Sequence, residues 1–319
     1  MKIVIPGGSG QVGRLLSRAF LTDGHEVVVL SRAPLATRSR FVHWDGETVG
    51  PWASELDGAD VVINLAGRSV NCRYGTKNRR LIVDSRVQST RAVGAAITQA
   101  ARPPRVWLQA STATIYAHRY DAGNDELTGI VGGSEQSAPD TWRFSIEVAK
   151  AWEEAAYAVD VPKTRRVLLR SAMTMSPDKD GVFDVLLGLV RRGLGGASGN
   201  GRQFVSWIHE LDFVNAIYWL IKNEALEGAV NLCSPNPVPN AEFMRSLREA
   251  WGIRFGLPAG EWMLALGAFF MRTETELILK SRRVTPTRLL AAGFAFQFPN
   301  WGDAAVDLCR RWRESRSRN

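Results

Sequence analysis

Apolar residues in the first half of the chain fall in short runs: KIVI (2–5), HEVVVL (25–30), ADVVINLAG (59–67) and RVWLQAS (105–111). Runs rich in Val, Ile and Leu that do not alternate with polar residues are those of strands buried on both faces. RFVHW (40–44) and RRVLLRSAM (165–173) add two more strands. The intervening segments, about Gln11 to Asp23, Lys77 to Ala100 and Trp142 to Glu154, read as helices. Strands alternating with helices predict an α/β fold with a parallel sheet covered on both faces.

The second half is less regular. GLGGASGNG (Gly193 to Gly201) reads as a flexible loop, either a lid over a site or an ordinary connector. QFVSWIH is strand-like, HELDFVNAIYWLIKN helical, and GAVNLC (228–233) one further strand. PNPVPN breaks the pattern, with Asn240 as the expected N-cap of AEFMRSLREAW. FAFQFP reads as an aromatic strand, and the charged tail after Trp312 as a frayed end.

Within Trp142–Glu154, Phe144, Val148, Ala151, Trp152 and Ala155 share one apolar face at about 100° per residue. Ile146 and Lys150 lie one turn apart on another side. A lysine on a second, partly apolar stripe is either a solvated charge or part of a site.

The chemistry begins at the first strand, which runs into PGGSGQVGRLL. Gly7, Gly10 and Gly13 make GxxGxxG between a strand and a helix. That context is required of a loop whose backbone, here Gly10, Gln11, Val12 and Gly13, approaches a dinucleotide pyrophosphate at a helix N-terminus. The second strand ends VVVLSRAP, with no carboxylate to hold a ribose 2′-hydroxyl. Ser31 offers a hydroxyl and Arg32 a guanidinium suited to a 2′-phosphate, so NADP(H) is the expected cofactor.

Bulk properties narrow the alternatives. The 319 residues carry a net charge of +8, but the basic residues are scattered, which argues against nucleic acid as a partner. Three cysteines, Cys72, Cys233 and Cys309, and four histidines show no metal-ligand spacing, so neither a metal site nor a disulfide framework is expected. A reducing cytoplasm is the expected location. No signal peptide is expected ahead of MKIVI, and the longest apolar stretch, WMLALGAFFM (Trp262 to Met271), is too short to span a bilayer.

The glycine loop, the NLAG strand end (Asn64 to Gly67) and STATIY (Ser111 to Tyr116) together resemble the extended short-chain dehydrogenase/reductase superfamily. NCRYGTKNRRLIVDSRVQSTRAV, GNGRQFVSWIHELDFVNAI and LKSRRVTPTRLLAAGFAFQFP narrow the resemblance to its atypical YfcH-like, "nucleoside-diphosphate-sugar epimerase" branch, over about residues 1–310. The resemblance implies a Rossmann-type doubly wound parallel sheet and a smaller, mostly helical substrate-side C-terminal lobe. The expected division is 1–169 plus 205–235 for the NADP-binding domain and 170–204 plus 236–319 for the lobe. It also places Ala66 and Gly67 beside the cofactor.

In the superfamily a Ser or Thr, a Tyr and a Lys share the proton chemistry. Thr112 matches the first and Lys150 the last. The tyrosine should lie four residues before the lysine, where this chain has Ile146. Tyr116, four residues after Thr112, is the leading substitute acid, with packing as its other reading. His209 and Asp212 read as structural residues of a strand–helix junction. Arg73 and Arg202 could hold an anionic substrate group, and Trp142 and Trp207 could stack on a sugar or base. The expected activity is that of an NADP(H)-dependent oxidoreductase or epimerase acting on a carbonyl or alcohol carbon of a small substrate, phosphorylated or a nucleotide sugar. The alternative is a non-catalytic NADP(H)-binding sensor or scaffold, since relatives in the branch are linked to cell or plastid division.

Overall fold

The computed structural model describes residues 1–34, 38–135, 138–260, 274 and 276–317. The strands in chain order are β1 (Lys2–Pro6), β2 (Glu26–Ser31), β3 (Arg40–His43), β4 (Val61–Asn64), β5 (Val106–Thr112), β6 (Arg165–Ser171), β7 (Met173–Met175), β8 (Phe204–Val205), β9 (Trp207–His209), β10 (Gly228–Leu232) and β11 (Val238–Pro239). Seven of them form one sheet in the order β10-β6-β5-β4-β1-β2-β3, and every pair in it is parallel. Strand order reverses between β1 and β4. This is the switch point where the carboxyl ends of strands open a crevice.

The helices are α1 (Gln11–Thr22), α2 (Thr76–Gln99), α3 (Asp140–Tyr157), α4 (Val182–Arg191), α5 (Glu210–Lys222), α6 (Asn240–Trp251), α7 (Glu276–Leu279), α8 (Thr287–Ala291) and α9 (Trp301–Ser317). Alternate residues of each strand serve opposite layers. Ile3, Ile5, Val27, Val29, Ile63 and Leu108 pack with Leu16 and Phe20 of α1 and Phe213 and Ile217 of α5. Val4, Val28, Val62 and Trp107 pack with Val93 and Ile97 of α2 and Ala156 of α3. Burial on both faces is why these strands read as unbroken apolar runs. A third core joins α4, α6 and α9, where Phe243 stacks on Trp301 at 3.9 Å and Trp301 Nε1 donates to Phe243 O.

Several expectations are corrected. Asn240 is not an N-cap: it is the first residue of α6 behind Pro239, and its Oδ1 accepts from Ser198 N. FAFQFP is not a strand, because Gln297 N and Phe298 N donate to the Asp212 carboxylate, not to a neighbouring strand. The tail after Trp312 stays helical to Ser317 and is held by Trp312 Nε1 and Arg316 on Asp184. The RRVLLRSAM and QFVSWIH runs each divide in two, with β7 pairing with β9 and β8 with β11.

The backbone of GLGGASGNG is tied to the segment after α6. Gly196 N and Gly199 N donate to Leu257 O and Ala259 O, and Leu257 N and Ala259 N answer to Gly193 O and Ala197 O. Trp262 to Met271 lies outside the described residues, among which no helix is long and apolar enough to cross a membrane.

Candidate functional site

The glycine loop lies at the switch point, and its glycines do different work. Gly7 has φ +74°, and a Cβ on it would stand 2.6 Å from Ala66 Cα. A Cβ on Gly13 would stand 2.4 Å from Gly8 Cα, so Gly13 lets α1 approach the loop. Gly10 has neither constraint: its φ is −70°, and the nearest atom to its missing Cβ is Gly7 O at 3.8 Å. The open space lies directly before α1. That helix starts without a side-chain cap, and the first donor to close back on the loop is Arg14 N, to Gly10 O. The N–H groups of Gln11, Val12 and Gly13 therefore have no acceptor among the described residues, the property that makes a helix start receptive to an anion. Gln11 Nε2, buried against Gly181, is a further donor without an acceptor among the described residues.

The other wall of the crevice is set by Asn64. It is fully buried, donates to Gln109 Oε1 at 2.9 Å and accepts from Ala66 N at 3.1 Å. These bonds hold the turn after β4 against Gly7. Gly67 beyond it is exposed and lies on Arg86, which donates to Arg68 O and Ile82 O. At the end of β2, Ser31 is buried and its Oγ accepts from Ala33 N, while the Arg32 side chain is exposed with no partner among the described residues.

At the end of β5, Thr112 Oγ1 accepts from Thr114 N and caps the short turn Ala113–Ile115. Lys150 is half-buried, and no partner for its ammonium occurs among the described residues. A Cβ on Gly133 would stand 3.3 Å from its Nζ. One turn earlier Ile146 is 1% exposed, its Cδ1 only 2.7 Å from where a Gly132 Cβ would be. The position one turn before Lys150 is thus closed by the Gly132–Gly133 backbone.

Tyr116 is only 2% exposed, and its hydroxyl donates to Asn231 Oδ1 and accepts from Arg170 Nη1, both at 2.9 Å. Arg170 in turn forks onto Glu153, which also accepts from Ser111 Oγ at 2.6 Å. Burial raises the Tyr116 pKa, against the pull of Arg170. Its place is in a buried network joining β5, β6, α3 and β10.

His209 and Trp207 are also structural. His209 is buried, its Nδ1 accepts from Leu211 N to cap α5, and burial pushes its pKa down to about 4. Trp207 is buried edge-on against Trp301. Arg73 pairs with Glu274 at 3.6 Å, and Arg202 is exposed.

Trp142 lies elsewhere, in the wall of a cavity of about 410 Å³ together with His118, Glu135 and Gln203. Behind this cavity is a cluster that no residue spacing reveals. Lys280 is 2% exposed, and its Nζ donates to Thr114 O at 2.8 Å. Burial and the neighbouring Arg282 push its pKa down to about 8, against Glu276 and Glu135. Arg282 Nε donates to Thr114 Oγ1 and its Nη2 pairs with Glu276, to which Ser145 also donates. The sole signal in the sequence was the run LKSRRV, legible as part of a family resemblance and not as chemistry. Among the described residues no group of acidic, Cys or His side chains could hold a metal.

Comparison with known proteins agrees with this architecture. Epimerase family protein SDR39U1 from Homo sapiens is 29% identical over 311 residues, covering 97% of this chain and 99% of that protein. Epimerase family protein YfhF from Bacillus subtilis is 29% identical over 303 residues, 93% of this chain and 94% of that one. The crystal structure of human SDR39U1 (isoform 2) with NADPH superposes with a TM-score of 0.84 at 28% identity, covering 97% and 99% of the two chains. Residues 260–308 match a domain of unknown function, DUF1731. Residues 3–233 match the NAD dependent epimerase/dehydratase family, and the chain belongs to that family of extended short-chain dehydrogenases/reductases.

Proposed function

We propose that the protein is an NADP(H)-dependent oxidoreductase or epimerase acting on a carbonyl or alcohol carbon. The observation that carries this reading is the open space before α1, bounded by Gly10, the free N–H groups of Gln11, Val12 and Gly13, and the orphaned Gln11 amide. These donors fit a pyrophosphate. Gly7, Ala66 and Gly67 bound the same crevice. Ser31 and Arg32 fit the adenosine ribose and its 2′-phosphate, because the end of β2 offers a guanidinium and no carboxylate. Human SDR39U1, whose structure contains NADPH, supports the choice of cofactor.

A bound nicotinamide supplies or accepts the hydride. Of this chain's residues, Thr112 retains a hydroxyl proton to orient a substrate oxygen, its lone pair being engaged by Thr114 N. Lys150 holds a ribose hydroxyl. Tyr116 is assigned to the buried network and not to proton transfer, since both its bonding directions are used. Domain 1–169 plus 205–235 would then carry the cofactor, and 170–204 plus 236–319 the substrate side.

The occupied tyrosine position favours a second reading, a non-catalytic NADP(H)-binding protein. NADPH consumption over a panel of carbonyls and nucleotide sugars separates the two. Turnover that disappears in Thr112→Ala supports the enzyme. Tight NADPH binding without turnover on any compound supports the sensor.

A further inference from the structure

The cavity of about 410 Å³ beside α3 has three aromatic rings in its wall. His118 lies 4.7 Å from Trp142 and 5.0 Å from Tyr120 between ring centroids. Leu279 adds apolar surface, and Glu135 and Gln203 supply polar atoms. No lysine or arginine among the described residues lines it.

Charge in and behind the wall balances. Burial would raise the Glu135 carboxyl, but N–H donors from Gly133 and His118, with Lys280 nearby, hold its pKa below the usual range, so it is ionised. Behind it, the cations Lys280 and Arg282 face Glu135 and Glu276. An anion entering this space would meet the Glu135 carboxylate at the wall and, among the described residues, no cation there. Both N–H bonds of Gln203 are already made, to Ser198 O and Ile278 O.

Of the donors in the wall, which also include the Trp142 indole, the Tyr120 hydroxyl and the Asn200 amide, the His118 ring is the one whose proton is placed by its other nitrogen. Its Nδ1 accepts from Ser281 N at 2.8 Å, and Ser281 is itself held by Arg119 O and Phe204 N. With Nδ1 fixed as an acceptor, the ring proton resides on Nε2, which has no acceptor among the described residues. A proton on Nδ1 would set two N–H donors against each other. Burial, Lys280 and Arg282 likewise lower the pKa of the ring, against Glu135.

We propose that this cavity binds an uncharged, flat ring compound bearing a carbonyl or hydroxyl oxygen, stacked on Trp142 and hydrogen-bonded by the Nε2–H of His118. This assigns the substrate side of the proposed NADP(H)-dependent reaction and rests on that reading. It departs from a phosphorylated or nucleotide-sugar substrate held by Arg73 and Arg202, neither of which lines the cavity. The size suits such a ligand, since small-molecule sites run from about 300 to 1,000 Å³.

The test uses two probes, neutral 9,10-phenanthrenequinone and anionic UDP-glucose, each titrated into the full chain saturated with NADP⁺ so that nothing is consumed. Saturation-transfer NMR and tryptophan quenching read binding. The quinone is expected to bind and UDP-glucose not to. Trp142→Ala should weaken the quinone about tenfold or more. His118→Asn can still accept from Ser281 but places no donor at the Nε2 position, and should weaken it about five- to tenfold, while His118→Gln recovers most of the loss. NADP⁺ affinity should stay unchanged in all three. UDP-glucose binding without the quinone, binding of neither probe, or native-like quinone affinity in His118→Asn overturns the proposal. If the chain takes up no NADP⁺, the cofactor reading falls by itself, and the same titration on the chain alone still decides this one.

Discussion

Ala66 passes so close to Gly7 that a Cβ on the glycine would stand 2.6 Å from both its Cα and its N. The contact welds the β1 and β4 strand ends together at the switch point, with Asn64 holding Ala66 from below. Gly7→Ala must therefore shift backbone and also bear a left-handed conformation, which costs about 1–2 kcal/mol alone. Its unfolding free energy should fall by about 2 kcal/mol or more in urea titration.

Gly10→Ala is the contrasting case. At φ −70° with open space around it, the new methyl should leave stability within about 0.5 kcal/mol of the native chain. NADPH affinity should nonetheless drop, because the methyl enters the space before α1. A stable variant with undiminished affinity would show that the space is not a binding site.

Restoring the missing tyrosine should fail. Ile146 is enclosed by Gly132, so Ile146→Tyr overpacks the site. It should lose about 1–3 kcal/mol without gaining turnover, as thermal unfolding and an NADPH assay would record.

The Arg170–Glu153 pair lies almost wholly inside the protein. Arg170→Met leaves a buried carboxylate without its partner and Tyr116 without a donor. Destabilisation of about 3–5 kcal/mol is expected by chemical denaturation. Glu153→Gln should cost a comparable amount, since it leaves the buried Arg170 guanidinium without its counter-charge.

His209 gives a pH signature. Its folded pKa of about 4 lies below the unfolded value, so the unfolded chain binds the proton first. The stability it contributes is complete above about pH 6.5 and is lost as pH falls toward 4, at about 1.4 kcal/mol per pH unit. Buried carboxyls such as Glu276, whose pKa burial raises, act in the opposite sense over part of this range. The informative quantity is hence the difference between the native chain and His209→Asn, which should widen from pH 5 to pH 7.

Much of the fold was legible because its strands are buried on both faces, so β1, β2, β4 and β5 appear as apolar runs whatever the rest of the chain does. The glycine loop was legible because its constraint is local. FAFQFP misled because its backbone is satisfied by the distant Asp212, 85 residues away from Gln297. Tyr116 read as acid or as packing until Asn231 and Arg170, 115 and 54 residues away, were placed on its hydroxyl. The His118–Lys280–Arg282 cluster was invisible for the same reason: Ser281 meets His118 across 163 residues.

The central claim is that a dinucleotide with a 2′-phosphate binds at the start of α1 and is recognised by Arg32. Calorimetric titration of NADPH and NADH into the native chain and into Arg32→Ala tests it most directly. The native chain should prefer NADPH, and Arg32→Ala should lose about 10- to 100-fold in NADPH affinity with little change toward NADH. Equal losses for the two nucleotides would contradict the assignment of Arg32, and no heat with either would contradict the site itself.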